Sequence, residues 1–211
     1  MNLKFTTIND LIRYTSIFAP MISIIWGTKK QYSLLWFYAI TGLLFDVLIS
    51  IFLIHDPIKK PIANIFILVE FVFISAFYIN QLKNNKKLLR TIAGIVILFE
   101  LITIGLDVEN NLLKFNSITA ALYCLIYVLY AILGFYQIIS EHRTVFLERS
   151  SFFWVNVSWI IYASGVLFLL LYDKYFNDHN KLVIVKLWPI QCIFNVLKYV
   201  FLTFAFRAKE E

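Results

Sequence analysis

Seven long apolar segments fill most of this chain, and they leave it few folds. They run near Leu11–Gly27, Ser33–Ile54, Pro61–Ile79, Leu88–Leu106, Ser117–Ile139, Ser151–Tyr172 and Leu182–Phe206. Most reach the ~17–25 residues that a helix needs to cross a hydrocarbon core. Within hydrocarbon, every backbone N–H and C=O must find its partner inside the protein, so continuous runs of this length are expected to be helical. A soluble protein with buried helices would need polar faces that these segments lack. With 61% hydrophobic and only 15% charged residues, the chain departs from ordinary soluble composition. The connections are short and leave no room for a separate soluble domain. The expectation is an all-α polytopic membrane protein, a single seven-transmembrane-helix bundle over residues 1–211.

The first segment is not expected to be a cleaved signal peptide. Asp10 and Arg13 stand at its start in place of a basic region, and no small-residue cleavage pattern follows Trp26. Basic residues set the orientation. Lys29, Lys30, Lys83, Lys86, Lys87, Arg90, Arg143, Arg149, Arg207 and Lys209 lie at one set of segment ends. The opposite set holds Lys4, Lys59, Lys60, Lys114, Lys174 and Lys181, with Arg13 and Lys186 near their ends. The excess places the first set in the cytoplasm, so the N-terminus is expected outside and the C-terminus inside. The bilayer accounts for the net charge of +6 as loop anchoring, and no polybasic block suggests nucleic acid. Cys124 and Cys192 lie within apolar segments and form neither a disulfide framework nor a metal spacing. His55, His142 and His179 fall in loops on two sides of the membrane and are expected to be solvated.

Four ionisable residues sit inside the apolar segments: Asp46, Glu70, Glu100 and Lys198. Charge at such depth is costly and is kept mostly where it pairs or works. Three readings stand: an ion pair fixing helix register, a neutral carboxyl hydrogen-bonded to a neighbour, or a ligand or ion site. Helical spacing gathers further polar residues into stripes. Arg13, Ser16, Pro20, Ser23 and Gly27 share a face of the first segment; Tyr38, Gly42 and Asp46 share one on the second; Glu100, Thr103 and Asp107 share one on the fourth. The fifth carries Asn116, Tyr123, Tyr127, Tyr130, Gly134 and Gln137. The sixth carries Asn156, Ser158, Trp159, Tyr162, Ser164 and Gly165, and the seventh carries Trp188, Gln191, Asn195 and Lys198. Such stripes face other helices and serve either as hydrogen-bonded seams or as the lining of a cavity. Asp46, Glu70, Glu100, Tyr123, Tyr127, Asn156, Trp159, Gln191, Asn195 and Lys198 make up the candidate intramembrane polar site. Depth along the helices pairs Lys198 with Glu70, or failing that with Asp46, and leaves Glu100 further outward.

Phe115-Asn116-Ser117, the run from Ser151 to Gly165 (SFFWVNVSWIIYASG) and the closing Leu187-Trp188 with Ile193-Phe194-Asn195 resemble small bacterial seven-helix integral membrane proteins of unassigned function. The resemblance spans most of the chain and implies architecture rather than chemistry; Lys198 is not part of its pattern. Lys198 in the last segment and Trp159-Ile160-Ile161-Tyr162 in the sixth are similar to microbial rhodopsins. That likeness implies retinal as a Schiff base on Lys198 with Glu70 as counterion. The chain departs from it: Asn195 stands near where an aspartate is usual, no arginine accompanies Glu70, and no proline follows Tyr162.

No GxGxxG, Walker A, HExxH or GxSxG pattern occurs. The reading that fits best is a non-enzymatic protein of a bacterial cytoplasmic (inner) membrane. It would sense or regulate through an intramembrane polar pocket and a membrane or cytoplasmic signalling partner, without metal or cofactor. A small-solute or ion transporter is the alternative, although internal repeats are not evident. A membrane-embedded lipid enzyme using Asp46 and Glu70 as acid and base is the third. Self-association as a homo-oligomer is compatible with each.

Overall fold

The computed structural model describes residues 2–26, 32–49, 59–84, 86–109, 117–141, 147–176 and 181–208. The expected Ser50–Ile54 end of the second segment, Gly27, Asn116 and the three histidines lie outside them. Seven α-helices follow the apolar segments closely: α1 Asn2–Trp26, α2 Ser33–Val47, α3 Lys59–Gln81, α4 Lys86–Glu109, α5 Ser117–Ser140, α6 Ser151–Phe176 and α7 Lys181–Arg207. Five of them, α3 to α7, contain spans long and apolar enough to cross a membrane. The apolar parts of α1 and α2, Leu11–Trp26 and Ser33–Val47, are shorter. The described 15 residues of α2 span ~22 Å at 1.5 Å per residue, and Leu48 and Ile49 continue it as a π-helical turn.

The helices close into a ring in which α1, α2, α3, α5, α6 and α7 each pack against the next and α7 returns to α1. α4 stands outside the ring against α3. Its outer face exposes Leu88, Ile95, Leu98, Leu101 and Leu106, the kind of contiguous apolar surface that needs a nonaqueous environment. Side-chain contacts give the helix directions. Asn195 of α7 reaches Ser16 of α1, and Arg207 lies over the Trp26 ring at 4.3 Å, so α1 and α7 run parallel. Phe71 stacks on Tyr123 and Tyr78 on Tyr130, so α3 and α5 run parallel. Ser151 at the start of α6 meets Ala208 just beyond α7, so those two are antiparallel.

Hydroxyls within the apolar helices are answered locally. Thr15, Thr41, Thr91, Ser164 and Thr203 each donate to the carbonyl one turn earlier. Proline makes one exception useful. Pro20 has no N–H for the Ser16 carbonyl, and Asn195 Nδ2 donates there instead at 3.4 Å and to Ser16 Oγ at 3.0 Å. At the other end of the ring, Gln137 closes α3: its Nε2 donates to the Gln81 carbonyl and its Oε1 accepts from the Lys83 N–H. Lys83 also pairs with Glu141 at 3.1 Å.

Close approach of α5 and α6 depends on Gly134, where an added Cβ would collide with the Asn156 side-chain amide. Gly134→Ala should therefore lower stability in detergent by about 1–3 kcal/mol, the usual cost of overpacking. Gly94→Ala on α4, where a Cβ meets nothing within 4 Å, should be neutral or slightly stabilising. Thermal unfolding of the two variants side by side checks this; equal melting temperatures would contradict the packing.

Candidate functional site

Four of the six ring helices, α2, α3, α6 and α7, send a side chain to one buried centre built on Lys198. Lys198 is 2% exposed and Glu70 5% exposed. Along α7, Lys198 lies ~14 Å before Arg207, and along α3 Glu70 lies ~16 Å before Gln81, so both sit near half the ~30 Å depth of a hydrocarbon core. The expected Lys198–Glu70 pair is present, with Nζ at 3.4 Å from Oε1. Between them stands a group that the sequence does not assign to the pair. Lys198 Nζ donates to Tyr38 Oη at 2.6 Å, and Tyr38 Oη donates to Glu70 Oε1 at 2.6 Å. Ammonium, phenol and carboxylate thus form a chain of short, charge-assisted hydrogen bonds joining α7, α2 and α3.

Aromatic faces replace the rest of the ammonium's hydration shell. Nζ lies 4.0 Å from the Tyr162 ring centroid, 4.7 Å from Tyr199, 5.3 Å from Tyr38 and 5.5 Å from Trp159. These are cation–π distances, and they gain strength in desolvated surroundings. The rings hold one another in turn: Tyr38 stacks on Tyr199 and packs against Trp159 at 5.5 Å. Gly42 leaves room for Tyr199, whose hydroxyl would lie 2.6 Å from a Cβ placed there. Ser158 Oγ donates to the Lys198 carbonyl at 2.8 Å and ties α6 to the same turn of α7.

The other candidate residues sort by depth. Asp46 is half-buried two turns beyond Tyr38 toward the C-terminal end of α2, within electrostatic reach of Lys198 and Glu70, and makes no hydrogen bond among the described residues. Asn195 and Gln191 are half-buried on the part of α7 that precedes Lys198, Asn195 bonded to Ser16. Glu100 is buried apart from the centre on α4, where Thr103 Oγ1 donates to its carbonyl at 2.8 Å and approaches its Oε2 at 3.4 Å. Asn156 lies on the opposite side of the centre from Asp46 and accepts from Tyr78 Oη through Oδ1 at 2.9 Å. Tyr123, Tyr127 and Trp159 line the α5–α6 side, with Phe71 stacked on both tyrosines and Tyr127 5.1 Å from Trp159. Polar stripes thus meet in a buried interior. An apolar groove of about 410 Å³ lies elsewhere, between α6 and α7 around Gly165, Phe168 and Phe194.

Four buried polar atoms find no hydrogen-bond partner among the described residues: Tyr123 Oη, Tyr127 Oη, Trp159 Nε1 and Asn156 Nδ2. Each such group left alone costs roughly 1–3 kcal/mol. Among site residues that sequence reasoning leaves out, Tyr38 was within reach, since it shares the Asp46 stripe. Tyr162 and Tyr199 adjoin Trp159 and Lys198 in sequence, but only the three-dimensional arrangement turns their ring faces toward Nζ. Comparison with protein-family models, curated proteins and solved structures finds no match.

Tyr38→Phe removes both short hydrogen bonds of the chain. Hydrogen bonds to charged groups contribute ~1.5–3 kcal/mol each, and direct Lys198–Glu70 contact can recover part, so the expected loss is about 1.5–3 kcal/mol. Asp46→Asn, which breaks no hydrogen bond here, should cost less. Chemical or thermal unfolding in detergent measures both; a larger loss at Asp46 would contradict the assignment of the bonds.

Proposed function

We propose that this chain crosses a bacterial cytoplasmic membrane seven times, N-terminus outside, as a non-enzymatic sensory or regulatory protein. Its switch is the Lys198–Tyr38–Glu70 centre, and a membrane or cytoplasmic partner reads the output. One observation carries this: three helices are joined at mid-depth by hydrogen bonds that all depend on the charge of one lysine and one carboxylate. Neutralising either weakens every bond together, which is the property a two-state element requires. The parallel and antiparallel helix pairs support alternating passage through a bilayer. Lys83, Lys86, Lys87, Arg90, Arg149 and Arg207 all fall toward the end that this topology makes cytoplasmic.

Access to the centre is unequal. On the outward side Arg13, Asp46, Tyr162, Gln191 and Asn195 are only half-buried. On the inward side Phe77, Tyr78, Tyr130 and Phe152 form a buried aromatic layer, with Tyr78 5.2 Å from Tyr130 and Phe77 6.2 Å from Phe152. A signal entering from outside and stopping at the pair suits a receptor; a transporter would need a way through that layer. Retinal on Lys198 is not part of this reading, because four ring faces already crowd Nζ.

Two measurements test the reading. With Cys124 and Cys192 replaced by alanine, Asn84→Cys should react with an impermeant thiol reagent only after cells are opened. Labelling in intact cells would reverse the topology. Proteoliposomes should show no flux of protons, alkali cations or small solutes above empty vesicles. Flux that disappears with Lys198→Met would make the protein a transporter.

A further inference from the structure

The unpartnered groups beside the centre are arranged in order. Tyr123 and Tyr127 are one turn apart on α5, and Asn156 and Trp159 are one turn apart on α6. Because α5 and α6 are consecutive and antiparallel, Tyr127 and Trp159 share a level, with ring centroids 5.1 Å apart. Tyr123 then lies about one turn outward and Asn156 about one turn inward, so the column is ~10 Å long at 1.5 Å per residue. Trp159 Nε1 can only donate, and both tyrosine hydroxyls can donate. Asn156 gives its Oδ1 to Tyr78, and whichever way its amide is turned, one end remains without a partner. All four residues are at most 2% exposed.

The chemistry of a complementary molecule follows. Indole and phenol groups that need acceptors call for oxygen. Three levels along ~10 Å exceed the reach of one atom, so several acceptor atoms are required. An anion is disfavoured, because the carboxylates Glu70 and Glu100 act on the Tyr127 and Tyr123 hydroxyls. A cation finds no acceptor in the indole N–H. We propose that the seam between α5 and α6, backed by Phe71, is a binding site for a line of neutral oxygen acceptors held by Tyr123, Tyr127, Trp159 and Asn156. Two sources have this chemistry: a file of ordered water, or the carbonyl, ether or hydroxyl oxygens of an apolar organic molecule entering from the bilayer. The site stands whether the Lys198 centre senses or transports, and it extends the polar interior from that centre to Tyr78.

The chain has five tryptophans, so indole ¹⁵N labelling of the full-length protein in lipid nanodiscs gives five N–H signals. Trp36 and Trp154 are internal standards, because their Nε1 atoms donate to the Ile24 and Glu148 carbonyls. Trp159→Phe identifies the Trp159 signal; if that variant does not fold, single phenylalanine variants at the other four tryptophans identify it by elimination. The Trp159 proton is expected among the hydrogen-bonded standards. With water in the seam it shows an exchange or Overhauser cross-peak to water. With an organic molecule that cross-peak is absent, and native mass spectrometry of the purified protein shows an added mass that is lost with Tyr127→Phe. A Trp159 proton at the position of a free indole overturns the site. So does a hydrogen-bonded signal with neither water contact nor added mass, which would mean that a protein group accepts it.

Discussion

A lysine ammonium held at mid-depth among apolar helices is the constraint from which the rest of this architecture follows. Moving an unpaired charge out of water costs several kcal/mol even after relaxation, so Lys198 must meet its counter-charge and the remaining donors must be met as well. Glu70 supplies the charge, Tyr38 bridges the two at 2.6 Å on each side, and the Tyr162, Tyr199, Tyr38 and Trp159 rings close over the ammonium. Each contribution comes from a different turn of α2, α3, α6 or α7. The charge therefore fixes the rotation of four helices about their axes, which uniform apolar packing would leave loosely specified.

Packing elsewhere is consistent with that fixed rotation. Gly42 and Gly134 stand where Tyr199 and Asn156 press against a neighbouring backbone. Pro20 frees the Ser16 carbonyl that Asn195 takes up, so a missing helix bond becomes a tie between α1 and α7. The interior is divided by polarity and burial: half-buried polar residues on one side of the charge centre and a buried aromatic layer on the other.

Much of the architecture is written in the sequence, because hydrocarbon leaves a backbone little choice beyond helix. Apolar runs give all seven helices to within a few residues, apart from the longer N-terminal reach of α1 and the part of the second segment beyond Val47. Depth alone narrows the partner of Lys198 to Glu70 or, failing that, Asp46, since all three lie near the middle of their segments; the structure shows Glu70. Depth says nothing about azimuth, however. Helical stripes relate residues only within one helix, so they list Tyr38 without its two charged partners. They also group Glu100 with the other intramembrane charges, although α4 stands outside the ring and carries Glu100 away from Lys198. The order of helices around the ring is a tertiary property, and no periodicity within a segment encodes it.

The central claim is that Lys198 and Glu70 act as one unit. A double-mutant cycle on thermal or chemical unfolding in detergent, with Lys198→Met, Glu70→Gln and both together, addresses it most directly. Each single replacement strands a buried partner and should cost about 3–5 kcal/mol, whereas the double replacement should recover much of that loss. A double variant as unstable as the sum of the two single variants would mean that the charges are independent, and the account built on their pairing would fail.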